Sequence, residues 1–148
     1  MPLVIRDAQQ EDVEGLAPLL AALGYPVDGT TLAVRLSSLV ASDPTARILV
    51  AVDGMAILGF VTLHGTPTLH RPAMVGRITA LSVTPEARGR GVGRRLVEAA
   101  EAHFEAAGAV RLEVTSGPTH EPAFAFYRRL GYDDQGLRFA KPLPREIA

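Results

Sequence analysis

Leu81-Ser-Val-Thr-Pro-Glu-Ala-Arg-Gly-Arg-Gly-Val-Gly-Arg-Arg-Leu-Val97 is the stretch that decides how this chain is read. An apolar, β-type run ends near Val83, and Pro85 breaks it. Three glycines at alternate positions, Gly89, Gly91 and Gly93, then open a helix expected over residues 91–107. Leu96, Val97, Ala100 and Phe104 recur on one face of that helix, and Gly108 stops it. A strand, a short glycine-rich turn and a helix start place unpaired backbone N–H groups and the positive end of the helix dipole in one loop. Glycines there let an anion approach the main chain closely, which suits phosphate. Arg88, Arg90, Arg94 and Arg95 put four guanidinium groups within eight residues.

Other readings of the same residues differ in what they require. A Walker-type loop ends in Gly-Lys-Ser/Thr, and none is present. A dinucleotide fingerprint needs Gly-x-Gly-x-x-Gly at a first strand-to-helix turn. Gly89-Arg-Gly-Val-Gly breaks that spacing and follows three earlier strands. Glycines that serve only the turn, with arginines on a solvated face, remain an alternative.

Outward from this segment, residues 3–6 form a strand candidate. Val13, Leu16, Ala17, Leu20 and Leu23 then recur at helical spacing before Gly24. Thr30 or Thr31 is positioned to cap a second helix with Leu32, Leu36, Leu39 and Val40 on its apolar face. Residues 47–52 and 55–64 are apolar runs joined by Asp53-Gly54, a hairpin signal. Residues 74–83 read as a third long strand, 111–115 as another, and 122–130 as a short helix closed by Gly131. The tail, residues 132–142, reads as a last strand or two. The order is β-α-α-β-β-β-α-β-α-β. This is an α/β (α+β) class with a mixed, mainly antiparallel sheet flanked by helices, and the unit on either side of the glycine loop is a parallel crossover. No repeat or long linker interrupts residues 1–148, so a single domain is expected.

Arg88-x-x-Gly91-x-Gly93, preceded by Leu81-x-Val83 and Pro85, resembles the GNAT superfamily of acyl-CoA-dependent N-acetyltransferases. A second segment, Ala123-Phe-Ala-Phe126-Tyr127-Arg-Arg-Leu130-Gly131-Tyr132, is similar to that family's Ala-x-x-Phe-Tyr-x-x-Leu-Gly-Phe/Tyr pattern. The resemblance implies that Arg88, Gly89, Arg90, Gly91, Val92, Gly93 and Arg94 cradle the coenzyme A pyrophosphate. It implies that Leu81 and Val83 lie on a strand that splays at a bulge and pairs with the pantetheine arm. It also implies that Tyr127 protonates the departing thiolate. The bland alternative for Tyr127 is a half-buried ring that packs the short helix. The implied cosubstrate is acetyl-CoA and the implied partner an amine acceptor, a primary amine of a small molecule or peptide. The stretch from Arg111 to Pro118 looks similar to small members that acetylate aminoglycosides or other small amines. A non-catalytic acyl-CoA-binding sensor or interaction module is the alternative function.

The chain departs from the family where many members carry a glutamate as general base on the strand entering the loop. Arg77 and Thr79 stand at the corresponding positions. Glu113 is a weak base candidate, facing cleft or solvent by strand alternation. His120 lies where members have an asparagine against the pantetheine, so it is a cofactor-side candidate. His64 and His70 bracket the loop after the second hairpin strand. Tyr25 and Asp28, in the loop between the first two helices, are candidates for the acceptor wall, and Asp28 would attract a cationic amine.

Composition sets the outer limits. The 148 residues carry 15 basic and 16 acidic side chains, no cysteine and no tryptophan, with 47% hydrophobic residues. Without cysteine there is no disulfide framework, thiolate metal site or thiol acyl-enzyme, which favours direct transfer. The histidine spacing carries no metal-ligand signature, so no metal is expected. A net charge of −1 argues against a nucleic-acid partner. No signal or membrane segment is evident, so a cytoplasmic setting is expected. The oligomeric state, a homodimer included, is left open.

Overall fold

The computed structural model describes residues 2–115, 121–136 and 138–144. The chain divides into two compact units, Met1–Thr115 and Ser116–Ala148.

In the first unit β1 (Val4–Asp7) leads through a 3-10 turn (Gln10–Asp12) into α1 (Val13–Ala22) and α2 (Gly29–Ser42). Then come β2 (Arg47–Asp53), β3 (Ala56–Thr66) and β4 (Val75–Val83). A 3-10 turn (Pro85–Ala87), α3 (Val92–Ala106) and β5 (Arg111–Val114) complete the unit. The five strands form one sheet in the order β1-β2-β3-β4-β5. All neighbours are antiparallel except β4 and β5, which run parallel across α3 as the strand–helix–strand pattern predicts.

Strand β2 is buried at every position from Ile48 to Val52 because both faces of the sheet are covered. On one face Ile48, Val50, Val52 and Phe60 pack with Val13, Leu16 and Leu19 of α1 and Leu32 and Leu36 of α2. The other face carries α3, whose Leu96, Val97, Ala100 and Phe104 are buried. Gly76 of β4 allows Phe104 its position. A Cβ there would lie 2.5 Å from the ring, inside van der Waals contact.

The entry to α1 is fixed by charge. Arg6 reaches Asp12 through two hydrogen bonds of 2.7 and 3.0 Å, and the Gln9 N–H donates to the same carboxylate at 2.7 Å. These partners satisfy a side chain that is only 6% exposed.

Three local expectations are corrected. The cap of α2 is Asp28, whose carboxylate accepts from the Thr31 N–H, rather than Thr30 or Thr31. Asp28 holds the extended backbone that an N-cap needs. Val40, expected on the apolar face of α2, is exposed. In the second unit α4 (Glu121–Arg129) forms as expected and ends at Gly131, φ 93°. The described residues after it contain no strand. Asp133, Asp134, Gly136, Pro142 and Pro144 crowd that tail, and such residues form ladders poorly.

Candidate functional site

The glycine loop is pinned at both ends by small apolar side chains. Ala87 is fully buried before it and Val92 is 2% exposed after it. Arg88, Gly89, Arg90 and Gly91 between them are exposed. Gly89 (φ 83°) and Gly91 (φ 79°) adopt the left-handed conformation that side chains resist. A Cβ added at either would meet no atom within 4 Å, so the space over the loop backbone is open. Gly91 is the N-cap of α3 and has no side chain to close its first turn. The leading N–H groups of a 15-residue helix therefore face this opening with the positive end of its dipole.

The arginines are unequal. Arg90 pairs with Asp53 at 3.5 Å, Arg94 with Glu98 at 3.4 Å, and Arg95 donates to the Leu3 carbonyl at 3.4 Å. The Arg88 side chain makes no ion pair or hydrogen bond among the described residues, which leaves its guanidinium available to an anion.

Strand β4 changes partner usage on its way to the loop. Thr62 pairs with Ala80 while Leu63 pairs with Ile78, so Thr79 is an extra, bulged residue. Pairing with β5 stops at Ile78↔Val114. Beyond the bulge Ala80, Leu81, Ser82 and Val83 pair with β3 alone, and their other backbone edge is free of β5. The bulge expected on this strand is thus present, at Thr79. At the bulge the hydroxyls of Thr79 and Thr62 hydrogen-bond at 2.7 Å.

Thr62 also lines a cleft of about 170 Å³ between α1, α2 and the sheet. Leu16, Leu32, Leu36 and Phe60 make its apolar wall, and Tyr25 and Arg35 join them. Tyr25, expected on the acceptor side, is 71% exposed. Asp28 is not among the lining residues. Its carboxylate is taken up by the Thr31 N–H at 2.8 Å and the Thr31 hydroxyl at 2.9 Å. These bonds hold the carboxyl below its usual range.

Arg77 and Thr79 carry no carboxylate to the approach strand. Glu113 is held by Arg77 at 2.8 Å and Arg111 at 3.1 Å, so proton abstraction competes with two guanidinium contacts. His64 lies near the end of β3 and faces Asp43 at 3.3 Å. His70 is exposed. His120 lies outside the described residues.

In the second unit Tyr127 sits on α4 in edge-on contact with Phe126 and Tyr132, at centroid distances of 5.1 and 5.9 Å. Burial pushes its hydroxyl up to about 12. It therefore stays protonated across the physiological range, as a proton donor must.

Comparison with known proteins decides the family. The acetyltransferase (GNAT) family model matches residues 18–132. This chain belongs to the GNAT acetyltransferase family. The chain is 33% identical over 101 residues to an aminoalkylphosphonate N-acetyltransferase of Salmonella typhimurium, covering 68% of this chain and 66% of that protein. It is 31% identical to the IAA acetyltransferase of Azospirillum brasilense, covering 89% of this chain and 81% of that one. Among solved structures, a putative acetyltransferase from Agrobacterium tumefaciens superposes with a TM-score of 0.86 at 24% identity, over 95% of this chain and 99% of that one.

Arg35 lines the cleft, and the sequence reading did not single it out. The signal was there. A charge at position 35 interrupts the apolar stripe Leu32–Leu36–Leu39, and such a break in pattern marks a surface with a use.

Proposed function

We propose that this chain is an acetyl-CoA-dependent N-acetyltransferase that moves the acetyl group directly to a primary amine. The open left-handed glycine loop at the start of α3 carries this reading. The loop amides between Gly89 and Arg94, with Arg88 beside them, would hold the coenzyme A pyrophosphate. The backbone edge at Leu81 and Val83, which β5 leaves unpaired, would pair with the pantetheine arm and align the thioester. The acceptor amine, once neutral, attacks the thioester carbonyl. The carbon–sulfur bond breaks, and the thiolate leaves with the electron pair. With no carboxylate on the approach strand, the ammonium proton is taken up by water.

Tyr127 is assigned the proton delivered to sulfur. A hydroxyl near 12 is a weaker acid than a free thiol of about 8.5. Full transfer therefore requires an apolar setting that raises the thiol as well, and in water the group would stabilise the thiolate chiefly by donating a hydrogen bond. Alignment on the strand supplies the larger part of the rate. The name of one curated relative, an aminoalkylphosphonate N-acetyltransferase, supports an amine as acceptor. Release of free thiol from acetyl-CoA across a panel of primary amines tests the proposal. Acetyl-CoA binding without release for any amine would favour the sensor alternative.

A further inference from the structure

The cleft beside the bulge is built for one kind of acceptor. Its walls are aliphatic and aromatic, with Leu32, Leu36, Leu39, Ile48 and Phe60 among them. Its volume, about 170 Å³, is close to that of a cavity that takes a benzene ring. Among the described lining residues Arg35 is the sole charged side chain. Positions 32, 35, 36 and 39 share one face of α2, so the helix carries this guanidinium to the mouth of the cleft along its apolar stripe. Arg35 makes no ion pair among the described residues. The positions of α2 within one turn of it that share its face hold Thr31, Leu32, Ser38 and Leu39, none of them acidic. No carboxylate lines the cleft among the described residues, and Asp28 is committed to capping α2. A polycation would find no counter-charge there. An anion would find one, strengthened by the apolar wall behind it.

We infer that Arg35 selects the acceptor, and that the acceptor is an amine with a compact apolar body and an anionic group. The body fills the cleft and the anion meets Arg35. The amine is directed toward Thr62, where the cleft meets the bulge of β4. This inference rests on the acetyltransferase reading, because it needs the thioester at that bulge.

The test compares 3-(aminomethyl)benzoate with 3-methylbenzylamine, which share a ring and a benzylic amine and differ in a remote carboxylate. Free thiol released from acetyl-CoA is measured for the full chain and for Arg35→Gln, Arg35→Lys and Arg35→Glu. The wild-type protein should favour the benzoate by about tenfold in kcat/KM, the scale of one charge-assisted contact at a partly exposed site. Arg35→Gln should remove that preference by lowering the benzoate alone, Arg35→Lys should restore most of it, and Arg35→Glu should invert it. Equal use of both amines by the wild-type protein overturns the inference. So does an equal loss for both in Arg35→Gln, which would make the arginine an apolar arm lying on the wall. Both outcomes leave acetyl transfer standing. No thiol release with either amine or with a wider panel, while acetyl-CoA still binds, overturns the transfer reading and this inference with it.

Discussion

Replacing Gly91 with alanine separates a cofactor cradle from a mere turn. Gly91 sits at φ 79° with no atom within 4 Å of an added Cβ, so the methyl meets no clash. The cost to folding is the left-handed backbone alone, about 1 kcal/mol, or a fall in melting temperature of about 3 °C for a chain of this size. Gly108, at the other end of α3, provides a matched control. Its φ is 80°, and a Cβ there also meets no atom within 4 Å. Gly108→Ala should therefore cost the same stability. Ligand binding should divide the two. At position 91 the methyl projects into open space beside the amides proposed to hold the pyrophosphate. Displacing two charge-assisted hydrogen bonds removes about 3 kcal/mol, roughly a hundredfold in affinity. Calorimetric titration with acetyl-CoA, alongside thermal melts of both variants, reads the two effects separately. A hundredfold weaker Kd for Gly91→Ala, with Gly108→Ala unchanged, is the expected result. Equal affinities for the two variants would refute the assignment of the loop.

Two further outcomes follow from the charges. Asp12→Asn should lower stability by about 2 kcal/mol at neutral pH, because Arg6 loses its partner but is 36% exposed and can rehydrate. The Asp12 carboxyl is held below its usual value, chiefly by the hydrogen bond from Arg6. Its contribution is thus present above about pH 4 and fades as pH falls through the folded value, so melts of variant and wild type should converge in acid. Tyr127→Phe should lower kcat about ten- to a hundredfold while acetyl-CoA affinity holds. With the Tyr127 hydroxyl raised to about 12, the wild-type rate should show no descending limb from this group through pH 10, where an ordinary tyrosine would be half ionised.

The parts of this molecule that were legible in sequence are those set by local rules. The hairpin at Asp53-Gly54, the glycine stops at Gly108 and Gly131, and the loop around Gly91 each follow from backbone conformations that few residues adopt. The run Ile48 to Val52 within β2 is apolar at every position, the pattern of a strand covered on both faces. What was not legible depends on partners distant in sequence or on a choice among equals. Three residues near the start of α2 can cap a helix, and only the backbone shows that Asp28 does. Alternation left Glu113 facing either cleft or solvent, and the parallel register of β4 with β5 brings it opposite Arg77. The tail contains Tyr132, Phe139 and Leu143, yet its aspartates, glycine and prolines outweigh their strand preference. The break that Arg35 makes in the apolar stripe of α2 is local, but its place at a cleft with Phe60 and Thr62 depends on how α2 lies over the sheet.

The claim that the chain transfers an acetyl group is tested most directly by mass balance in a single reaction. Acetyl-CoA, a primary amine from a panel that includes 3-(aminomethyl)benzoate, and the purified chain are combined, and free thiol and N-acetylated amine are quantified together. The account predicts equal amounts of the two, both abolished in Gly91→Glu. Thiol released without acetylated amine would mean hydrolysis, and neither product from any amine, with acetyl-CoA bound, would mean that the loop serves recognition alone.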